Sequence, residues 1–137
     1  MIVLALDIGE KRCGIAVSDA AGKIALPLKV LPTTEVVANA PVFRRIVEDY
    51  EPELLLVGLP LSLDGMESQQ TAYSKKAAGC ISKNLGLPLE FQDERLSSTE
   101  AKTHLRAQGY TEKEMRGRID MIAASVFLQT YLDANAR

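Results

Sequence analysis

Residues 2–19 read IVLALDIGEKRCGIAVSD, and the placement of this stretch decides the fold. Residues 2–8 are apolar without interruption except at Asp7, too continuous for a strand wet on one face and suited to one covered on both. A carboxylate there must be paired, bound to a metal or set at the strand's open end. Gly9 and Gly14 bracket Glu10, Lys11 and Arg12, and Ile15 and Val17 then resume a strand pattern. The segment therefore predicts a hairpin with Lys11 and Arg12 at its tip, close to Asp7 and able to meet a polyanion. The competing interpretation is a buried strand followed by a solvated turn.

The chain has 137 residues, 47% of them hydrophobic, which fits one compact domain over residues 1–137. A net charge of −2 carries no general basic signature, so any contact with nucleic acid must come from a local patch. No apolar run approaches the roughly 18 residues of a membrane span, and the chain enters a strand without a charged leader. The expectation is a soluble, cytoplasmic protein without a membrane partner. Cys13 and Cys80 form no CxxC pattern and are expected to be small buried hydrophobes rather than zinc ligands. His104, among Lys102, Thr103 and Arg106, reads as a surface residue of a helix.

Working outward from the hairpin, residues 24–31 predict a third strand, and Pro27 inside it demands an edge position. Thr33 and Thr34 offer caps for a helix over residues 36–51, stopped by Pro52. Residues 54–59, LLLVGL, read as a buried parallel strand. A turn at residues 62–65 leads into a helix over residues 67–85, closed by Gly86. Residues 87–92 form the fifth strand, beyond which stand Asp93, Glu94 and Arg95. Ser97 and Glu100 suggest a capping box for a helix to residue 108. Residues 109–117 are charged, glycine-flanked and weakly periodic, a candidate mobile loop, and a last helix covers residues 118–132 with Asp120 in its first turn.

Right-handed crossovers then give an α/β fold with a five-stranded mixed sheet, order 3-2-1-4-5, and helices on both faces. Asp7 and the pair Asp93 and Glu94 fall at one sheet edge, where open α/β sheets place their sites, and the final helix can bring Asp120 there. Several carboxylates together repel unless cations neutralise them, and hard oxygen donors favour Mg2+ or Mn2+. Two such ions would equip the site for phosphodiester hydrolysis. Lys11, Arg12 and Arg95 would hold substrate phosphates, with Lys113, Arg116 and Arg118 engaging the backbone from the loop. For Asp120 the alternative role is to complement the helix dipole.

Four ordered blocks carry a resemblance over nearly the whole chain: DIGEKRCGIAVSD at residues 7–19, VGLPL at residues 57–61 through Gly65, DERLSS at residues 93–98, and Asp120 followed by Ala123 and Ala124. These resemble the YqgF, or RuvX, family of the RNase H-like superfamily. The resemblance implies an RNase H-like nuclease that processes the 5′ end of the 16S ribosomal RNA precursor, with branched DNA as the other substrate because the family was first assigned as Holliday-junction resolvases. It makes Asp7, Glu94 and Asp120 the catalytic and metal-binding acids, with Asp93 a further candidate ligand. Strand alternation points Asp93 and Glu94 to opposite faces, so one of the two should ligate directly. RuvC-like enzymes place an acid after the fourth strand, whereas this chain has Gly58, Leu59, Pro60 and Leu61, so the site must be completed from the fifth. The expected partner is nucleic acid, with the chain a monomer or weak homodimer. Two other readings are a sugar-kinase-like phosphotransferase, which lacks the second domain it would need, and a feebly catalytic RNA-binding factor of ribosome assembly.

Overall fold

The computed structural model describes every residue except Leu63, Leu96 and Arg137, with Ser98 described through its backbone only. The expected turn at residues 62–65 and the block at residues 93–98 therefore lie partly outside the described residues. Strands β1 (Val3–Ile8) and β2 (Arg12–Ser18) form the hairpin, and β3 (Ala25–Pro32) continues it as a meander. Helices α1 (Thr33–Val37) and α2 (Pro41–Tyr50) lead to β4 (Leu54–Leu59), which runs parallel to β1. Helix α3 (Gln69–Leu85) crosses to β5 (Leu89–Asp93), parallel to β4, and α4 (Ser97–Ala107), α5 (Glu112–Arg116) and α6 (Ile119–Ala134) follow. The sheet order is β3-β2-β1-β4-β5, as right-handed crossovers require, and Pro27 lies in an edge strand.

Side chains alternate along β1, so one strand serves two cores. Leu4, Leu6 and Ile8 pack with Ile15, Leu55 and Val57 beneath Val36, Phe43, Ala78 and Ile81. Val3 and Ala5 pack with Ala16, Leu54 and Leu56 beneath Ala124, Phe127, Leu128 and Leu132 of α6. The same alternation puts Asp7 on the α6 face. No helix among the described residues is long and apolar enough to cross a membrane.

Several local expectations change. The helix expected over residues 36–51 is two helices, because Asn39 adopts φ 54° and Pro41 opens α2, holding Ala40 extended. The apolar spacing continues across this break, which hides it in the sequence. Thr33 is no side-chain cap: it lies within α1 and its hydroxyl donates to the Gly9 carbonyl at 2.7 Å. Ser97 already belongs to α4 rather than preceding it. The expected loop at residues 109–117 contains α5, whose capping box pairs Thr111 with Glu114. Cys13 is buried as expected, but Cys80 is exposed on α3.

Candidate active site

Asp7 stands near the end of β1, facing Gly14 across the hairpin ladder. A Cβ at Gly14 would lie 2.0 Å from the backbone oxygen of Asp120, an impossible contact with main chain. Glycine at this position is what allows the first turn of α6 to settle on the hairpin beside Asp7. Glu94 follows β5 directly, and its N–H donates to the Leu59 carbonyl at 3.2 Å, extending the β4 pairing by one residue. Its carboxylate lies over Gly58, where a Cβ would come within 2.8 Å of Glu94 Oε2 and 2.7 Å of the Phe127 ring. The bare backbone of β4 thus makes room for the acid delivered from β5.

The hairpin turn is pinned from two sides. Gly9 N–H donates to the Arg12 carbonyl at 2.9 Å, and Thr33 N–H donates to the Lys11 carbonyl at 2.9 Å. With the Thr33 hydroxyl on Gly9, these bonds fix where Arg12 leaves the turn. Its Nη1 donates to the Arg116 carbonyl at 3.1 Å, and its Nε stands 3.5 Å from Asp120 Oδ2. That oxygen is buried and accepts no hydrogen bond, so its contact with Arg12 is one of charge alone.

Asp7 and Glu94 lie side by side in the interior, close enough for a hydrogen bond between their carboxyl groups when one of them carries a proton. Burial, then the charge and hydrogen bond of Asp7 and the charge of Asp120, push Glu94 up to about 9. Burial also raises Asp7, against the lowering effect of its bond with Glu94 and together with the charge of Asp120. Asp120 is raised by burial, which the Arg12 guanidinium opposes. Cys13 is raised well above the usual thiol range, by burial first and then by the three acids, and is an unreactive core residue.

Asp93 turns elsewhere. Arg95 donates its backbone N–H to Asp93 Oδ1 at 2.9 Å and its Nε to Oδ2 at 2.6 Å. Of the remaining basic candidates, Lys11 and Arg116 are exposed, and Arg118 lies over the Tyr110 ring at 4.9 Å. His104 is exposed, as its neighbours suggested.

Among the described residues no three His, Cys, Asp or Glu side chains are already gathered as a metal cage. The donors nevertheless fit a hard divalent cation. All are carboxylate oxygens, one is an unsatisfied buried oxygen, and burial raises all three acids, with mutual charge adding to it at Asp7 and Glu94, a cost that a bound cation would remove. Gly14, Gly58 and Thr33 position the site, whereas the sequence suggested only a hairpin bracket at Gly14, a missing acid at Gly58 and a helix cap at Thr33. The signal for the glycines was their place inside apolar strand runs, where glycine marks a close approach by another backbone or group.

The profile of the family described as RuvX: Holliday junction resolvase matches residues 1–134. A relative from Anaeromyxobacter sp. (strain Fw109-5), provisionally named a pre-16S rRNA nuclease, is 38% identical over 133 residues, 97% of each chain. One from Acaryochloris marina with the same provisional name is 40% identical over 130 residues, covering 95% of this chain and 90% of that one. Among solved structures, Thermus thermophilus RuvC in complex with a Holliday junction substrate superposes with a TM-score of 0.59 at 17% identity, covering 98% of this chain and 94% of that one. The Fowlpox virus resolvase in its Holliday junction complex gives 0.58 at 14% identity with both chains fully covered. At such identities these two show the fold, which is that of RuvC-like nucleases of RNase H type. The phosphotransferase reading is thereby removed: the chain belongs to the RuvX family, and the activity that membership gives it is that of a nuclease.

Proposed function

We propose that the protein is a metal-dependent endonuclease that matures the 5′ end of the 16S ribosomal RNA precursor, with Asp7, Glu94 and Asp120 as its catalytic acids. The observation that carries the site is the meeting of three acids at one end of the sheet: Asp7 opposite Gly14, the start of α6 with its unsatisfied Asp120 oxygen against that glycine, and the Glu94 carboxylate over Gly58. The ribosomal substrate is supported by the provisional names of the relatives. Bound at these acids, a pair of Mg2+ or Mn2+ ions would supply an attacking hydroxide and stabilise the leaving oxygen.

The chain's own residues prepare that chemistry. Where a cation binds, the proton held by the Glu94 and Asp7 pair would pass to solvent, so that both carboxylates would stand as anionic ligands. Arg12 holds Asp120 at the mouth of the site, and Gly14 and Gly58 keep side chains out of it. Lys11, Arg116 and Arg118 contact substrate phosphates, while Arg95 occupies both oxygens of Asp93.

The second reading, a resolvase acting on branched DNA, is favoured by the family's description. Cleavage of precursor 16S RNA, single-stranded RNA and a four-way DNA junction, each with Mg2+ or with chelator, decides between them. The proposal expects Mg2+-dependent cleavage of the RNA near its 5′ end. Cleavage confined to the junction would install the resolvase reading, and binding of RNA without cleavage at any metal concentration would install the assembly-factor reading.

A further inference from the structure

The segment that approaches Asp120 carries a local excess of positive charge. Residues 97–118 hold Lys102, Arg106, Lys113, Arg116 and Arg118 against Glu100, Glu112 and Glu114, in a chain whose net charge is −2. The arrangement in space is more specific than the count. Ala101 and Leu105 are buried, so α4 turns that face inward and leaves Lys102 and Arg106 exposed on the next. These two are four residues apart, on one helix face and separated by about 6 Å along the axis.

Arg106 Nη2 reaches Glu112 Oε1 at 2.8 Å, linking α4 to α5. Glu112 and Arg116 are themselves four residues apart on α5. The Arg116 carbonyl receives Arg12 Nη1 at 3.1 Å, and Arg12 faces Asp120 at 3.5 Å. Lys102, Arg106 and Arg116 all stand within electrostatic reach of Glu112, and Arg12 joins the Arg116 backbone to Asp120, so these cations form one row, with Glu112 inside it, that begins on α4 and ends at the acid cluster. Both members of the Arg106–Glu112 pair are more than half exposed, so the pair contributes little to stability and Arg106 can exchange Glu112 for a phosphate at small cost.

We propose that this row is the path of a single nucleic-acid strand, with Lys102 and Arg106 as phosphate contacts remote from the scissile bond. The inference rests on the nuclease reading of the site and extends its substrate contacts to α4. A row one helix wide matches one phosphate backbone rather than the two of a duplex. Contacts of this type fix where a strand lies without reading its sequence.

The test is the salt dependence of binding to a fluorescent single-stranded RNA of mixed sequence, in Ca2+ so that no cleavage intervenes. Lys102→Ala with Arg106→Ala should lower the slope of log affinity against log salt by about 1.4, from two single-strand phosphate contacts at roughly 0.7 each. At 0.1 M salt that corresponds to about 25-fold weaker binding. The control is Lys76→Ala with Lys83→Ala on α3, a helix packed on the opposite face of the sheet, which should leave the slope at the wild-type value. Unchanged melting curves establish that both variants fold. A wild-type slope in the α4 variant, or an equal loss in the α3 control, overturns the proposal. Binding is read without catalysis, so an enzyme that binds along this row yet cleaves nothing would contradict the nuclease site and leave the strand path standing.

Discussion

The two faces of the sheet are built from the same strands and serve opposite ends. On the α3 face, Leu4, Leu6, Ile8, Ile15 and Val57 interlock with Phe43 and Ile81 around the buried, inert Cys13 thiol. On the α6 face the residues are smaller, with Ala5, Ala16 and Ala124 among them, and toward the strand ends Gly14 and Gly58 carry nothing at all. The difference shows how a fold places charges in its interior. Removing bulk from one face lets a helix approach and leaves room at its first turn, and the acids occupy that room.

The largest effect expected from breaking this contrast is chemical. Asp7→Asn should lower metal-dependent cleavage at least about a thousandfold, since it removes a ligand worth several kcal/mol in the transition state. Its metal-free melting temperature should equal or exceed that of the wild type, because one member of a like-charge cluster is gone. A large fall in melting temperature would make Asp7 a structural carboxylate instead.

Gly14→Ala should come next. The new methyl meets the Asp120 backbone at 2.0 Å and must displace the start of α6, at about 3 kcal/mol in urea unfolding and with loss of cleavage. A stable, active alanine variant would show that α6 does not need this close approach.

The acid pair also sets a pH dependence. A carboxyl group raised on folding binds its proton more tightly in the folded than in the unfolded chain, so it favours folding at low pH, and that contribution is lost as pH rises from 4.5 through about 9 for Glu94. Metal-free protein should therefore lose melting temperature across this interval. Glu94→Gln, whose amide can still donate to Asp7, should flatten the loss, and parallel curves for the two proteins would contradict it. The smallest effect belongs to the opposite face. A Cβ at Gly79 of α3 meets nothing within 4 Å, so Gly79→Ala should stabilise the protein by about 0.5–1 kcal/mol without altering cleavage.

The sheet was legible because its signals are local: Asp7 in an apolar run, Pro27 demanding an edge, and LLLVGL demanding burial between neighbours. The failures have physical causes of the same kind. Apolar spacing runs unbroken from Val36 to Tyr50 although Pro41 restarts the helix, so periodicity outweighed the proline. In residues 109–117 charge density concealed α5, even though Thr111 and Glu114 stand at capping-box spacing. Of the site, residue types and positions pointed to Asp7, Asp93, Glu94 and Asp120 together, and the resemblance to the family singled out Asp7, Glu94 and Asp120. That Asp93 is bound to Arg95 while Glu94 meets Asp7 depends on which way two adjacent side chains leave a strand end, and that becomes visible only when the chain is folded.

The central claim is that Asp7, Glu94 and Asp120 together form the metal centre. Crystals soaked in Mn2+ and measured at the manganese absorption edge test it most directly. The account predicts anomalous peaks ligated by these three carboxylates, with the Asp7–Glu94 hydrogen bond broken and Asp93 still held by Arg95. Manganese bound at Asp93, or an Asp7–Glu94 pair that keeps its proton at saturating Mn2+, would contradict it.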